Sequence, residues 1–181
     1  MNADAGDEQP RPTNRRLFFA LWPDEVVRTQ IVRATREPVR VSGGRPVRKD
    51  RLHVTVAFLG GLTEAGMEVA RGVPPIEVGP FDLALDRLGA FANGGVLWLG
   101  PKSVPPALSE LERRLWGELD SRGFIREERI YQPHVTLARR ARRPVEAEVP
   151  PIAWRVAELA LVESLPDGPN VHYELLEKWP L

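Results

Sequence analysis

The chain contains no cysteine. That excludes a disulfide scaffold, a thiolate zinc site and a cysteine nucleophile. No apolar run approaches the roughly 18 residues that a membrane-spanning helix needs. Charge of one sign is also missing: 25 basic residues face 25 acidic ones, for a formal net charge of zero. A protein that coats a polyanion is not expected from such a balance, whereas a site gripping one phosphate is compatible with it. Met1 to Asn14 lacks the charged-then-apolar order of a secretory signal, so the cytoplasm is the expected compartment. Residues 1–15 read as a disordered tail before a single domain over 16–181. Lysine is scarce, at 3 residues against 22 arginines, a bias that a GC-rich genome suffices to produce. Histidine is as scarce as lysine: His53, His134 and His172 are all there are.

What is present suits a folded domain, since 43% of the 181 residues are apolar and 28% charged. Leu17–Leu21 is a short apolar run that fits a buried strand. Asp24 stands where it can cap a helix over Glu25–Arg36, whose Val27, Ile31 and Ala34 fall at helical spacing. Ser42–Pro46 reads as loop, and Leu52–Leu59, rich in Val, Thr and Phe, as strand. Thr63–Ala70 is a weak helix. Phe81–Phe91 and Val96–Leu99 read as a hairpin across Asn93-Gly94-Gly95. Pro105–Arg122 is the second strong helix, with Gly123 placed for a C-terminal cap. Pro133–Ala138 is a strand, and Ile152–Leu165 with Val171–Leu176 forms a closing hairpin.

This order repeats itself. Strand, helix and strand over 17–59 match strand, helix and strand over 96–138. The fold class expected is therefore α+β and bilobal: two pseudo-symmetric lobes, mainly antiparallel sheets facing a central cleft, and helices outside.

The second strand of each set carries the same pattern, His53-Val-Thr55 and His134-Val-Thr136. Alternation along a strand puts His53, Thr55 and Ala57 on one face and Val54, Val56 and Phe58 on the other. His134, Thr136 and Ala138 likewise share a face opposite Val135 and Leu137. Two imidazoles and two hydroxyls across one cleft suit displacement at phosphorus. One neutral imidazole takes a proton from the attacking oxygen, and one protonated imidazole supplies the leaving oxygen. Threonine hydroxyls donate to the non-bridging phosphate oxygens, where charge concentrates. A metal site is poorly provided for, because Asp50 points off the shared face and no other carboxylate belongs to either motif. No serine stands in a nucleophile-elbow sequence.

With these flanks the chain resembles the two-histidine phosphoesterase superfamily, in its branch of RNA 2′,3′-cyclic phosphodiesterases, also called 2′-5′ RNA ligases. The likeness runs from Arg16 to Leu181. It includes Arg16-Leu-Phe-Phe-Ala-Leu21, Gly44-Arg-Pro-Val47, Val96-Leu-Trp-Leu-Gly100 and the closing Lys178-Trp-Pro-Leu181. The resemblance implies a reaction without metal or other cofactor. An RNA 2′,3′-cyclic phosphate is opened to a 2′-phosphomonoester, and the reverse path, with a 5′-hydroxyl in place of water, makes a 2′-5′ linkage without ATP. It assigns His53 as proton donor and His134 as acceptor, an orientation that the near-equivalent motifs do not themselves give. It matches Arg139 to a phosphate-contacting arginine, although strict alternation sends Arg139 to the core face unless the strand ends or bulges. It matches Phe19 to an aromatic that stacks on the terminal base, with core packing the competing reading, and Tyr131 carries the same ambiguity. His172 lacks a threonine partner and reads as an edge or surface residue.

Basic clusters flank both motifs: Arg45, Arg48, Lys49 and Arg51 before the first, and Arg139, Arg140, Arg142 and Arg143 after the second. They would steer an RNA backbone toward the cleft. The expected partner is an RNA end bearing a 2′,3′-cyclic phosphate or a related nucleotide, with no membrane, and the expected form is a monomer. Two other functions remain open on the residues alone: a nucleotide or RNA-end binding module without turnover, and a phosphodiesterase for a small cyclic or 2′-5′-linked nucleotide.

Overall fold

The computed structural model describes residues 15–91, 95–128, 130–167 and 170–181. Residues 1–14 of the expected tail and the turn residues Asn93 and Gly94 lie outside the described residues. Arg15 does not belong to a tail. It opens β1 (Arg15–Leu21) and donates from Nε to the buried carboxylate of Glu163 at 2.6 Å.

Helix α1 (Glu25–Ser42) starts as expected, with the Val27 amide donating to the Asp24 side chain at 2.8 Å. It ends later than expected. The helix carries Pro38 inside it and stops only at Gly43, whose φ of 63° turns the chain out in the left-handed region. There follow the two-residue β2 (Arg45–Pro46), a 3₁₀ turn (Lys49–Arg51) and β3 (Val54–Leu62). Helix α2 (Glu64–Arg71) is capped by the Thr63 hydroxyl. Strands β4 (Phe81–Phe91) and β5 (Val96–Gly100) pair as the expected hairpin. Helix α3 (Pro106–Ser121) closes against Gly123, whose φ is 85°. Then come β6 (Val135–Arg139), β7 (Ala147–Val156), β8 (Glu158–Asp167) and β9 (Asn170–Pro180).

The stretch read from sequence as one strand, Ile152–Leu165, is two. It breaks at Ala157; β7 pairs with β4, whereas β8 pairs with β1. The chain thus passes from one half of the molecule to the other at a single residue. Composition does not change across the break, so the sequence carries no mark of it.

The strands form one sheet in the order β7-β4-β5-β6-β3-β1-β8-β9, with β2 added to β6. Every neighbouring pair is antiparallel. The α+β class and the antiparallel halves are therefore as expected. The motif strands β3 and β6 join the halves side by side through one paired position, Val54 with Val135. Helix α1 packs on β6 and β7, and α3 packs on β3, so each half's helix leans on strands of the other. The main core lies between sheet and helices, where Leu17, Phe19, Leu21, Ile31, Leu111 and Leu115 are buried. A smaller cluster, Phe18, Ala20, Ala160 and Val162, sits on the opposite face of the sheet. That second face is the cleft.

Candidate active site

The floor of the cleft is set by the Val54–Val135 pair. Antiparallel pairing continued by one residue in each direction puts His53 opposite Thr136 and Thr55 opposite His134. The imidazoles then occupy one diagonal and the threonines the other. This is a near two-fold arrangement built from one pairing register.

Both motif strands bulge directly after the threonine. Against β1, Phe19 pairs with Ala57 and Ala20 with Thr55, so β3 gains an extra residue at Val56. Against β5, Leu97 pairs with Ala138 and Trp98 with Thr136, so β6 gains one at Leu137. A bulge reverses the in–out alternation beyond it. The residue three places after each threonine, Phe58 and Arg139, therefore faces the cleft. Ala57 and Ala138, expected beside the polar pair, are packed in the main core.

Each imidazole is fixed in the same way. His53 Nδ1 donates to the Arg51 carbonyl at 2.7 Å, and His134 Nδ1 donates to the Gln132 carbonyl at 2.7 Å. A carbonyl only accepts, so the proton sits on Nδ1 and Nε2 carries the lone pair that proton transfer uses in both rings. The surroundings differ. His53 stacks against Phe18 (ring centroids 4.9 Å apart) and Trp22 (5.3 Å) and meets Tyr173 edge-on (5.3 Å). The Arg28 guanidinium lies over Trp22, 5.2 Å from the ring centre. Burial pushes the His53 imidazole down to about 4, helped by the charges of Arg139, His134 and Arg28 and opposed by the bond to the Arg51 carbonyl. His134 meets Phe91 edge-on at 5.0 Å and has Trp98 at 6.2 Å.

Two compartments open from this floor, of about 570 and 550 Å³, and both include His53, Thr55, Thr136, Phe58 and Arg139. The first is lined by Arg16, Arg45, Arg48, Arg51, Arg139 and Arg140 together with Phe18 and Tyr173. The second contains His134 and is walled by Phe91, Trp116, Tyr131, Ile130 and Glu112. A monoanionic phosphate at the floor would find two Nε2 atoms, two hydroxyls and Arg139 around it. Such a constellation supports in-line displacement, with a base and an acid on opposite sides.

A family model described as the 2′-5′ RNA ligase superfamily matches residues 22–168. The chain is 34% identical over 174 residues to a protein of Escherichia coli K12 named RNA 2′,3′-cyclic phosphodiesterase, covering 92% of this chain and 97% of that one. This chain belongs to the 2′-5′ RNA ligase superfamily. A Thermus thermophilus protein, also named RNA 2′,3′-cyclic phosphodiesterase, is 32% identical over 183 residues, covering 92% of this chain and 90% of that one. Among solved structures, E. coli LigT complexed with 3′-AMP superposes with a TM-score of 0.85 at 30% identity, over 93% of this chain and 98% of that one.

Within this superfamily member the sequence-derived residues sort as follows. His53, Thr55, His134 and Thr136 meet at one floor. Arg139 reaches it because β6 bulges, which resolves the conflict with strict alternation. Tyr131 lines the second compartment and donates its hydroxyl to the Thr55 carbonyl at 3.3 Å, so it braces the motif strand. Phe19 is a correction. It is 0% exposed, packed in the main core against Trp179, and no ligand can stack on it. Its neighbour Phe18 faces the cleft instead. All of Leu17–Leu21 is buried, on one face by the core and on the other by the cleft cluster, so composition could not tell the two phenylalanines apart. His172 is exposed on the edge strand β9. Of the basic clusters, Arg45, Arg48, Arg51, Arg139 and Arg140 line the cleft, while Lys49 is drawn to Glu25. Sequence reasoning missed Phe18, Phe58, Tyr173 and Arg16. Tyr173 comes from β9, and only long-range pairing brings it beside His53.

Proposed function

We propose that this chain is an RNA 2′,3′-cyclic phosphodiesterase that hydrolyses cyclic phosphate ends to 2′-phosphomonoesters. The observation that carries the reading is the pair of imidazoles, each held through Nδ1, on one diagonal of a floor whose other diagonal is two threonines. The names of the superfamily relatives and a nucleotide-bound structure of similar fold support the same substrate class.

The proposed steps follow the residues. Water enters on the His134 side and gives a proton to His134 Nε2 as its oxygen attacks phosphorus. The P–O3′ bond breaks, and His53 Nε2–H protonates the departing 3′ oxygen. Thr55, Thr136 and Arg139 hold the non-bridging oxygens while their charge grows. The product is a 2′-phosphomonoester with a free 3′-hydroxyl. His134 then returns a proton to solvent, and His53 regains one.

Because His53 is neutral near pH 7 in the free protein, it donates only after the bound phosphate's negative charge has raised its proton affinity. Running the path backwards with a 5′-hydroxyl in place of water makes a 2′-5′ linkage. No step calls on a metal or ATP. RNA as substrate makes the cytoplasm the proposed compartment, and the protein is proposed to act as a monomer, since both motifs sit on one chain.

The deciding experiment incubates the protein with an oligonucleotide ending in a 2′,3′-cyclic phosphate, in EDTA, and reads product mobility and phosphatase sensitivity. Conversion to a phosphatase-sensitive 2′-phosphate is expected. No conversion, or conversion that EDTA abolishes, overturns the mechanism.

A further inference from the structure

The two compartments that meet at the phosphate floor are unlike in charge. Six arginines line the first, and among the described residues no carboxylate does, although Arg48 is bonded to Asp50 just outside the lining at 2.9 Å. They come from four places in the chain: Arg16 from β1, Arg45 from β2, Arg48 and Arg51 from around the 3₁₀ turn, and Arg139 and Arg140 from the end of β6. Several of these long side chains project from short, irregular backbone, which sets the positive charge along a path rather than at a point.

The second compartment shares only Arg139 with that set. Its other charged lining among the described residues is Glu112, Arg126 and Glu127. Arg126 is already engaged, donating to the buried Glu112 carboxylate at 2.5 Å and lying 5.8 Å from the Trp116 ring centre. Ile130, 95% exposed, stands at the mouth of this compartment. A strand of phosphates entering there finds Arg126 spent on Glu112, the Glu127 carboxylate beside it and an apolar edge, so the excess of positive charge that marks the first compartment is missing.

We infer that the cleft takes an RNA strand on one side of the reacting phosphate only. The nucleotides 5′ to the cyclic phosphate run along the arginine compartment, and the Glu112–Glu127 compartment admits water while refusing a phosphate-bearing acceptor strand. The inference rests on the proposed function and adds a direction to it. His134, the proton acceptor of that scheme, lines only the second compartment, so the attacking oxygen arrives there. His53, the donor to the leaving ribose oxygen, lines the first as well. Charge and proton roles thus assign the strand to the same side. Under this assignment the chain is a hydrolase of strand ends and a poor joiner of two strands.

Binding tests the direction without turnover. Fluorescence anisotropy of the full chain compares three ligands: a mononucleoside 2′-phosphate, an oligonucleotide ending in a 2′-phosphate, and that oligonucleotide continued through a 2′-5′ linkage into further nucleotides. Lengthening on the 5′ side is expected to tighten binding about tenfold. That gain should disappear between about 50 and 200 mM salt, as contacts to two or three phosphates require. Arg45→Gln with Arg48→Gln should remove it, and the folded state of the double variant is checked by circular dichroism. Lengthening past the linkage should bring no gain in the native protein, and about a threefold gain in Glu127→Gln. Equal tightening in both directions, or tightening only past the linkage, overturns the inference. A chain that shows the one-sided binding but opens no cyclic phosphate would instead overturn the proposed function and leave the direction of binding standing.

Discussion

His53 and His134 occupy the same place in two copies of one strand, donate Nδ1 to the carbonyl two residues back, and precede a bulge at the same offset. Their walls are different. Phe18, Trp22 and Tyr173 close around His53 and hold it neutral, whereas His134 opens on a compartment with Glu112, Arg126 and Glu127. The difference separates two tasks that repetition alone would merge. Pairing through Val54 and Val135 places two imidazoles and two hydroxyls on one floor, and the bulges turn Phe58 and Arg139 toward it. The residues outside the repeat then make the two imidazoles unlike, and in-line displacement needs one base and one acid.

The strongest way to break the comparison is to remove each ring. His53→Ala and His134→Ala should each lower kcat for a cyclic-phosphate-ended oligonucleotide by about 10²–10⁴-fold, the range for a positioned acid or base. Because the leaving alkoxide and the attacking water differ in need, a slower substrate with a poorer leaving group should widen the His53 loss alone. Retention of activity within tenfold by either variant would remove that histidine from the reaction. The threonines sharpen the same comparison. Thr55→Ala and Thr136→Ala should each cost about 10²-fold, mostly in kcat, since each removes one donor to the developing charge. Serine at either position should restore most of it. A threonine variant that alters only KM would mean that the hydroxyl binds ground state and transition state equally.

The repeated order of strand, helix and strand was legible because each element carries its own signal. Asp24 and Gly123 marked helix ends through caps that the structure contains. The two His-Val-Thr strands were legible as a pair because a residue type this scarce recurred with the same neighbours. The bulges were not. An extra residue in one strand has no compositional mark when it is apolar like the strand's core-facing residues, as Val56 and Leu137 are. Its effect is nevertheless to turn Phe58 and Arg139 toward the cleft. The Ala157 break and the exchange of Phe19 for Phe18 have the same origin: faces of a strand buried on both sides are assigned by what covers them. Helix α1 continues past Pro38 for one more turn and stops at the left-handed Gly43, a length that the proline signal in the sequence argues against.

Outside the motifs, the comparison reaches into stability through the first residue of β1. Glu163 is 1% exposed and its carboxylate is held by Arg15, which also bonds Glu64. Arg15→Ala leaves a buried carboxylate without its cation and should destabilise the fold by about 3–5 kcal/mol, read by urea denaturation. Phe19→Ala, in the main core, should cost a similar amount, about 3–5 kcal/mol. Phe18→Ala, on the cleft face, should cost less in stability and change the titration of His53. If the two phenylalanine variants prove equally destabilising and neither moves that titration, Phe18 and Phe19 do not lie on opposite faces of the sheet.

The smallest expected effect is also the one that bears most directly on how the two histidines differ. The ordinary imidazole value is near 6.5, and burial holds His53 at about 4. Trp22→Leu opens one side of the enclosure and draws the Arg28 charge away from its stacked position, so the His53 value should rise by about one unit, while the Nδ1–H to Arg51 bond stays. Ring-proton NMR of His53 against pH reads this. Between pH 6.5 and 4 the unfolded chain binds a proton that native His53 refuses, so stability falls as pH drops through that window; above it the group contributes nothing. Trp22→Leu should make the fall shallower and narrow it from the acid end. Adding inorganic phosphate at pH 7 should draw protons from a weakly buffered solution if the anion charges His53, and should draw fewer in His53→Gln. Phosphate binding with no proton uptake in the native protein would leave His53 neutral at the moment of reaction, and would make it the base and His134 the acid.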